Sequence, residues 1–284
     1  MENSIYSGHL HKMATDHRTS ADSDHNVQYQ LVLDEQKIDL APLMGRHLSI
    51  RYDSVIHCIH CGRKSKKSFS QGYCYPCFKK LARCDNCIMS PEKCHYDAGT
   101  CREPEWADEF CMTDHIVYLA NSSGMKVGIT RLNQVPTRWM DQGAKQALPI
   151  FRVATRQLSG FVEDIFREHI GDRTNWRALL KGEAESADLE AIRDELFDKT
   201  RDAISALQNE HGLQAVQPIE DGDVYEFSYP VNEYPEKIKS HNLDKTPEVA
   251  GVLQGIKGQY LILDSGVINL RKFTGYQVDI TFTP

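Results

Sequence analysis

Nine cysteines, all between Cys58 and Cys111 of a 284-residue chain, are the side chains best suited to chemistry. Cys58-x-x-Cys61 and Cys74-x-x-Cys77 are two knuckles separated by twelve residues. A tight Cys-x-x-Cys turn aims two thiolates at one ion, and a second such turn completes a tetrahedron. Gly62 directly follows the first pair, where a positive φ lets backbone N–H groups approach the sulfurs. The expected first ligand set is therefore Cys58, Cys61, Cys74 and Cys77 around Zn²⁺. Cys84-x-x-Cys87 with Cys94 and Cys101 offers a second four-thiolate set, for which His95 and Cys111 compete as ligands. Two structural zinc ions are expected, with an iron–sulfur cluster the alternative at the second set. A closed tetrathiolate site has no open coordination position, so such ions staple a fold rather than turn over a substrate.

The charge around these cysteines is uneven. Arg63, Lys64, Lys66, Lys67, Lys79, Lys80 and Arg83 lie between Cys58 and Cys84 with no acid among them. The whole chain carries a formal net charge of −7, which argues against non-specific coating of nucleic acid but permits a local basic face. Phe69, Tyr73, Tyr75 and Phe78 sit among the lysines. They could stack bases, or equally form the only core that a small zinc module can build.

Elements must position these groups. Forty per cent hydrophobic and 26% charged residues is a globular balance. No apolar run approaches the ~20 residues needed to span a bilayer. The N-terminus lacks the apolar segment of a secretory signal and carries acids, so a reducing cytoplasmic setting is expected. Residues 1–27 are polar and without periodicity and read as a disordered tail, and residues 28–57 contain strand-like runs. The zinc-binding module covers 58–111. From 112 to 214 the pattern is strand, strand, helix, strand, helix, helix. "HIVYLA" and "MKVGIT" flank the turn "NSSG", Pro136 opens a helix, and "LPIFRVATR" is the third strand. Phe161, Val162, Ile165 and Phe166 make one helical stripe; Leu189, Ile192, Leu196, Ala203 and Leu207 make another, which Gly212 closes. Residues 215–284 return to short strands.

Alternation in the hairpin lets Tyr118 and Lys126 share its outer face if Val117 and Val127 point inward. Its two strands, with the helix, strand and helix after them, resemble the GIY-YIG endonuclease fold. The resemblance covers about 65 residues. It matches Tyr118 to the tyrosine of the first tripeptide, Gly128 to the glycine of the second, Arg138 to the helical arginine, Glu163 to the metal-holding glutamate and Asn175 to the late asparagine. Lys126 stands where the second tripeptide has its tyrosine, and Ile116 where the first has its glycine. The resemblance implies that Tyr118, Lys126, Arg138, Glu163 and Asn175 form a catalytic set, with Mg²⁺ or Mn²⁺ at Glu163. Beyond residue 27 the chain is also similar to an uncharacterised bacterial family, domain of unknown function 2797, through "CHYDAGTCREPEW", "TRWMDQGA", "DRTNWRALLKG" and "GIKGQYLILDSGVINLRKFTGY". That family brings no activity with it.

The expected fold is α+β: a Cys-rich zinc module, a GIY-YIG-like α/β core, and a small β-barrel or sandwich made by the C-terminal strands and, where they join it, the N-terminal ones. The expected function is nucleic-acid binding, of DNA or RNA, with divalent-metal-dependent cleavage open. Arg63, Lys64, Lys66, Lys67 and Arg131 are the candidate nucleic-acid contacts. The alternative is a non-catalytic, metal-stabilised protein-interaction module.

Overall fold

The computed structural model describes residues 4–18, 25–171, 173–182 and 184–284. The chain opens with β1 (Ser4–His9), β2 (Ala14–His17), β3 (Val27–Leu33), β4 (Gln36–Asp39) and β5 (His47–His57). The described part of the expected disordered tail thus holds two strands, β1 and β2. Strand β1 is ordered by pairing with the last strand of the chain, Ser4 opposite Phe282, a partner that local composition cannot reveal. Residues 1–3 and 19–24 of that expectation lie outside the described residues.

The Cys-rich segment holds β6 (Lys64–Ser65), α1 (Tyr75–Lys80), α2 (Pro104–Phe110) and short 3-10 turns. After it come β7 (His115–Asn121), β8 (Met125–Arg131), α3 (Thr137–Asp141), β9 (Gln146–Val153), α4 (Arg156–Arg167), α5 (Trp176–Leu180) and α6 (Leu189–His211). The chain closes with β10 (Val216–Pro218), β11 (Tyr225–Glu226), β12 (Glu248–Lys257), β13 (Tyr260–Leu263), β14 (Gly266–Asn269) and β15 (Tyr276–Thr283).

Mixed α and β elements build three sheets, none of them a closed barrel among the described residues. The terminal sheet runs β1-β15-β5-β12-β13-β14, with β6 on β5, and its two end strands do not pair with each other. Strict burial alternation along β15, from Tyr276 to Phe282, shows why this sheet forms: every second side chain enters the core. A three-stranded sheet, β2-β3-β4, shares that core. The central sheet runs β10-β9-β7-β8, and β11 also pairs with β9. Residues 216–226, expected among the terminal strands of 215–284, therefore supply β10 and β11 to the central sheet instead.

Strand β7 is buried along its whole length because both faces of its sheet are covered. Val117 and Leu119 pack with Val162 and Phe166 of α4 and Leu196 and Ile204 of α6. Ile116, Tyr118 and Ala120 face the opposite way, toward Trp139 and the terminal sheet. That is the physical reason for the near-continuous apolar run "HIVYLA". The face expected to carry Tyr118 and Lys126 outward is thus largely roofed over, with relative exposures of 1% and 4%.

The helices end where their caps dictate. Thr155 accepts from the Leu158 N–H at 3.2 Å to start α4, and Asp188 accepts from Ala191 N–H at 3.0 Å to start α6. Gly212, at φ 96°, closes α6. Helix α4 lies so close to the turn at Pro91–Lys93 that a Cβ on Gly160 would come within 2.6 Å of Glu92 N. This contact docks the second half of the Cys-rich segment onto the central domain.

Candidate functional site

Cys58 directly follows β5, Cys61 comes next in the tight turn closed by Gly62 at φ 68°, Cys74 caps α1, and Cys77 lies within its first turn. The four sulfurs lie within 4.8 Å of one another, and the Cys61 and Cys74 sulfurs are 3.7 Å apart. Burial disfavours a Cys58 thiolate, yet backbone N–H groups of Cys74, Cys61 and His60 overcome it and bring the thiol down to about 6. Such a thiolate is the ligand form, and the arrangement fits a tetrahedral ion such as zinc. Phe69 stacks on Phe78 with centroids 5.7 Å apart and meets Tyr75 edge-on at 5.5 Å, so these aromatics form the module's own small core.

The second expected set is not brought together as Cys84, Cys87, Cys94 and Cys101. Cys84 ends a buried turn beside Ser70 and Cys58, on the side of the first module. Cys87, Cys94, Cys101 and Cys111 instead line one small cavity of about 10 Å³. Burial pushes the Cys111 thiol up to about 11, with Cys94, Cys87 and Cys101 adding to it against Arg156. Asp85, Cys87 and His95 also place ligand atoms within 4.8 Å of one another. The Asp85 carboxylate, however, already accepts from Arg102 Nε at 2.7 Å and Asn86 N–H at 2.7 Å, with His95 Nε2 at 3.4 Å.

A separate cleft of about 510 Å³ opens beside β7 and β8. Lys126, Arg131, Arg138, Arg156 and Arg271 line it, and Glu163 is the one acid among the described lining residues. Tyr118 forms part of its floor. Pairing of Tyr118 with Gly128 and of Ala120 with Lys126 puts the phenol and the ammonium on one face of the hairpin. Gly128 is required by that packing, since a Cβ there would sit 2.8 Å from the Tyr118 hydroxyl. Gln142, at the end of α3, ties the pair together. Its Oε1 accepts from Tyr118 Oη at 3.0 Å and from Lys126 Nζ at 2.9 Å. An ammonium can only donate, so the amide oxygen must face it. Lys126 Nζ also donates to Thr174 Oγ1 at 2.8 Å.

The electrostatics of the cleft follow from its burial. Desolvation pushes the Tyr118 phenol up, against Arg138 and Gln142, which favour the phenolate, and with Glu163, which opposes it. The phenol therefore stays protonated at neutral pH and acts as a donor. Desolvation also lowers Arg156 and Arg271, each further lowered by the nearby Arg138 charge. Arg131 lies with its guanidinium 4.5 Å from the centroid of Phe110.

A family model described as a protein of unknown function, DUF2797, matches residues 45–278. The chain belongs to the DUF2797 family. No curated protein and no solved structure matches it. The DUF2797 match takes in both cysteine groups and every residue of the cleft, and leaves β1 to β4 outside. No described helix is long and apolar enough to cross a membrane.

Within this DUF2797 region, Tyr118, Lys126, Arg138, Glu163 and Arg131 come together in the cleft. Asn175 does not line it. Its side chain caps α5 by accepting from Arg177 and Ala178 N–H at 3.2 and 3.3 Å. Arg63, Lys64, Lys66 and Lys67 are exposed on the first module and are not part of the cleft wall. Ile88, Met89 and Pro91, between the second-group cysteines, form that wall instead. Sequence reasoning missed Gln142, Thr174, Arg156 and Arg271. Arg156 and Glu163 stand seven residues apart on α4, a spacing that shares a helical face and could have been read. Arg271 comes from the turn before β15, and nothing local marks it.

Proposed function

We propose that the cleft binds the phosphodiester backbone of DNA or RNA, making this a metal-stabilised nucleic-acid-binding protein. One observation carries the reading: among the described residues, five cationic side chains and a single carboxylate line one recess of a chain whose net charge is −7. Gathering like charges in a poorly solvated recess is unfavourable unless an anion is taken there. Guanidinium groups suit phosphate because they can donate two parallel hydrogen bonds. Tyr118, held protonated, and Lys126 add donors at the floor. Arg63, Lys64, Lys66 and Lys67 offer an auxiliary exposed face for the same backbone.

Metal-dependent cleavage is a second reading, supported by the likeness of Tyr118, Gly128, Arg138 and Glu163 to the GIY-YIG motif positions. Glu163 favours it, being the one acid among the described lining residues and near Tyr118 and Arg156. Mg²⁺ needs only one or two carboxylates alongside substrate phosphate, and would supply positive charge to the reacting phosphate. In this reading Arg138 holds phosphate oxygens, and Tyr118 donates a hydrogen bond rather than removing a proton. Asn175, engaged as a helix cap, has no part in it.

Fluorescence anisotropy with single-stranded and duplex DNA and RNA oligonucleotides at low salt tests the binding reading. Wild-type protein should bind, and Arg138→Ala with Arg156→Ala should lose most of that affinity. Absence of binding to all four oligonucleotides would refute it and favour a protein-interaction module. If Mg²⁺ or Mn²⁺ supports cleavage, Glu163→Gln should abolish the cleavage while leaving binding intact.

A further inference from the structure

The start of α4 holds the chain at Cys87, Cys94 and Cys111, and Cys101 lines the same cavity as these three. The Arg156 N–H donates to Cys111 O at 2.8 Å, and Arg156 Nη2 donates to Ile88 O, next to Cys87, at 2.7 Å. Gln157 Nε2 donates to Cys94 O at 3.0 Å. One helical turn thus grips three separate stretches of the loop, each carrying one of the cysteines. All four cysteines line the same small cavity, whose wall also includes Asp85, His95, Trp106 and Ala107. Their sulfurs are not all within 4.8 Å of one another as those of the first set are, so closing on an ion turns the thiols inward.

We infer that Cys87, Cys94, Cys101 and Cys111 form a second tetrathiolate site for a zinc-type divalent cation, with Cys84 outside it. The spacing is unlike a paired-knuckle site: six residues separate Cys87 from Cys94, six separate Cys94 from Cys101, and nine separate Cys101 from Cys111. Four thiolates around one divalent ion carry a net double negative charge, and the Arg156 guanidinium beside the group offsets part of it. Asp85 and His95 are a competing set by distance. Asp85 is held by Arg102 and Asn86, and both His95 ring nitrogens have partners, Nε2 facing Asp85 at 3.4 Å and Nδ1 Thr100 Oγ1 at 2.8 Å. They form a hydrogen-bonded surround rather than ligands.

The consequence reaches the cleft. Ile88, Met89 and Pro91 lie between the first two ligands and form the cleft wall, so the ion ties that wall down. The site itself does not depend on what the cleft binds.

Zinc per full-length chain, counted by native mass spectrometry, tests the assignment. Wild type, Cys84→Ser and His95→Ala should each carry two ions, and Cys111→Ser one. Two ions on Cys111→Ser, or one on Cys84→Ser, would overturn it, as would iron and sulfide in place of zinc. Where Cys111→Ser does not fold, maleimide labelling of the wild-type chain decides, read peptide by peptide. Chelation should release Cys87, Cys94, Cys101 and Cys111 to the reagent together. A Cys111 that labels at one rate with and without zinc would overturn the inference.

Discussion

Gly128→Ala isolates the packing that builds the floor of the cleft. The backbone there is not in the left-handed region, so the substitution carries no conformational penalty and removes chain entropy from the unfolded state, worth about 0.4–1 kcal/mol of stabilisation. Against that, the new methyl group would lie 2.8 Å from Tyr118 Oη, 2.9 Å from Cζ and 3.1 Å from Cε2. The ring cannot yield easily. It is buried, meets Trp139 edge-on at 5.6 Å and is anchored to Gln142 at 3.0 Å. Overpacking of this kind costs roughly 1–3 kcal/mol, so the net loss should be about 1–2 kcal/mol. Chemical denaturation measures it directly, and Tyr118→Leu provides the control. If the clash is with the ring, Gly128→Ala should cost far less in the Tyr118→Leu background, with a coupling of about 1 kcal/mol or more. A Gly128→Ala protein as stable as wild type, or strict additivity with Tyr118→Leu, would refute the packing argument.

His115 and Gly160 give two further tests. His115, fully buried at the start of β7, has its imidazole lowered to about 4 chiefly by burial, with Arg156 and Arg131 adding. The folded state keeps it neutral while the unfolded chain takes up a proton below about pH 6.5. Its contribution, roughly 3 kcal/mol, is therefore intact above that pH and lost as pH falls toward 4. His115→Gln should flatten the dependence of unfolding free energy on pH in that window, and an unchanged slope would count against the assignment. Gly160→Ala places a methyl group against backbone at Glu92, which has little room to move. We expect about 1–3 kcal/mol of destabilisation and faster proteolysis within residues 85–101, and a neutral outcome would show that α4 does not dock this segment tightly.

Much of the central region was legible because its signals are local. The Cys58, Cys61, Cys74 and Cys77 spacing carries its own geometry, since each knuckle fixes two sulfurs by backbone alone. Alternation along the hairpin put Tyr118 and Lys126 on one face, as their pairing partners Gly128 and Ala120 show. What alternation could not supply was the roof over that face, which comes from Trp139 and the terminal sheet. Long-range contacts account for the other misses. Strand β1 finds order in β15, Arg271 enters the cleft from near the chain's end, and β11 leaves the terminal strands for β9. Cys84 was grouped by its Cys-x-x-Cys spacing, but the two cysteines of that pair face different modules. Spacing predicts a site only when the intervening chain closes a tight turn on one ion.

The salt dependence of oligonucleotide affinity tests the cleft most directly. Each phosphate contact contributes a slope of about −0.9 in log affinity against log salt on duplex DNA and about −0.7 on single strands. If the cleft is the binding site, Arg271→Ala and Arg138→Ala should each weaken binding and reduce the slope by about that amount. Joint replacement of Lys64, Lys66 and Lys67 by alanine should leave the cleft-dependent affinity in place. Loss of binding on changing the three lysines, with affinity and slope untouched in the two cleft variants, would contradict the assignment.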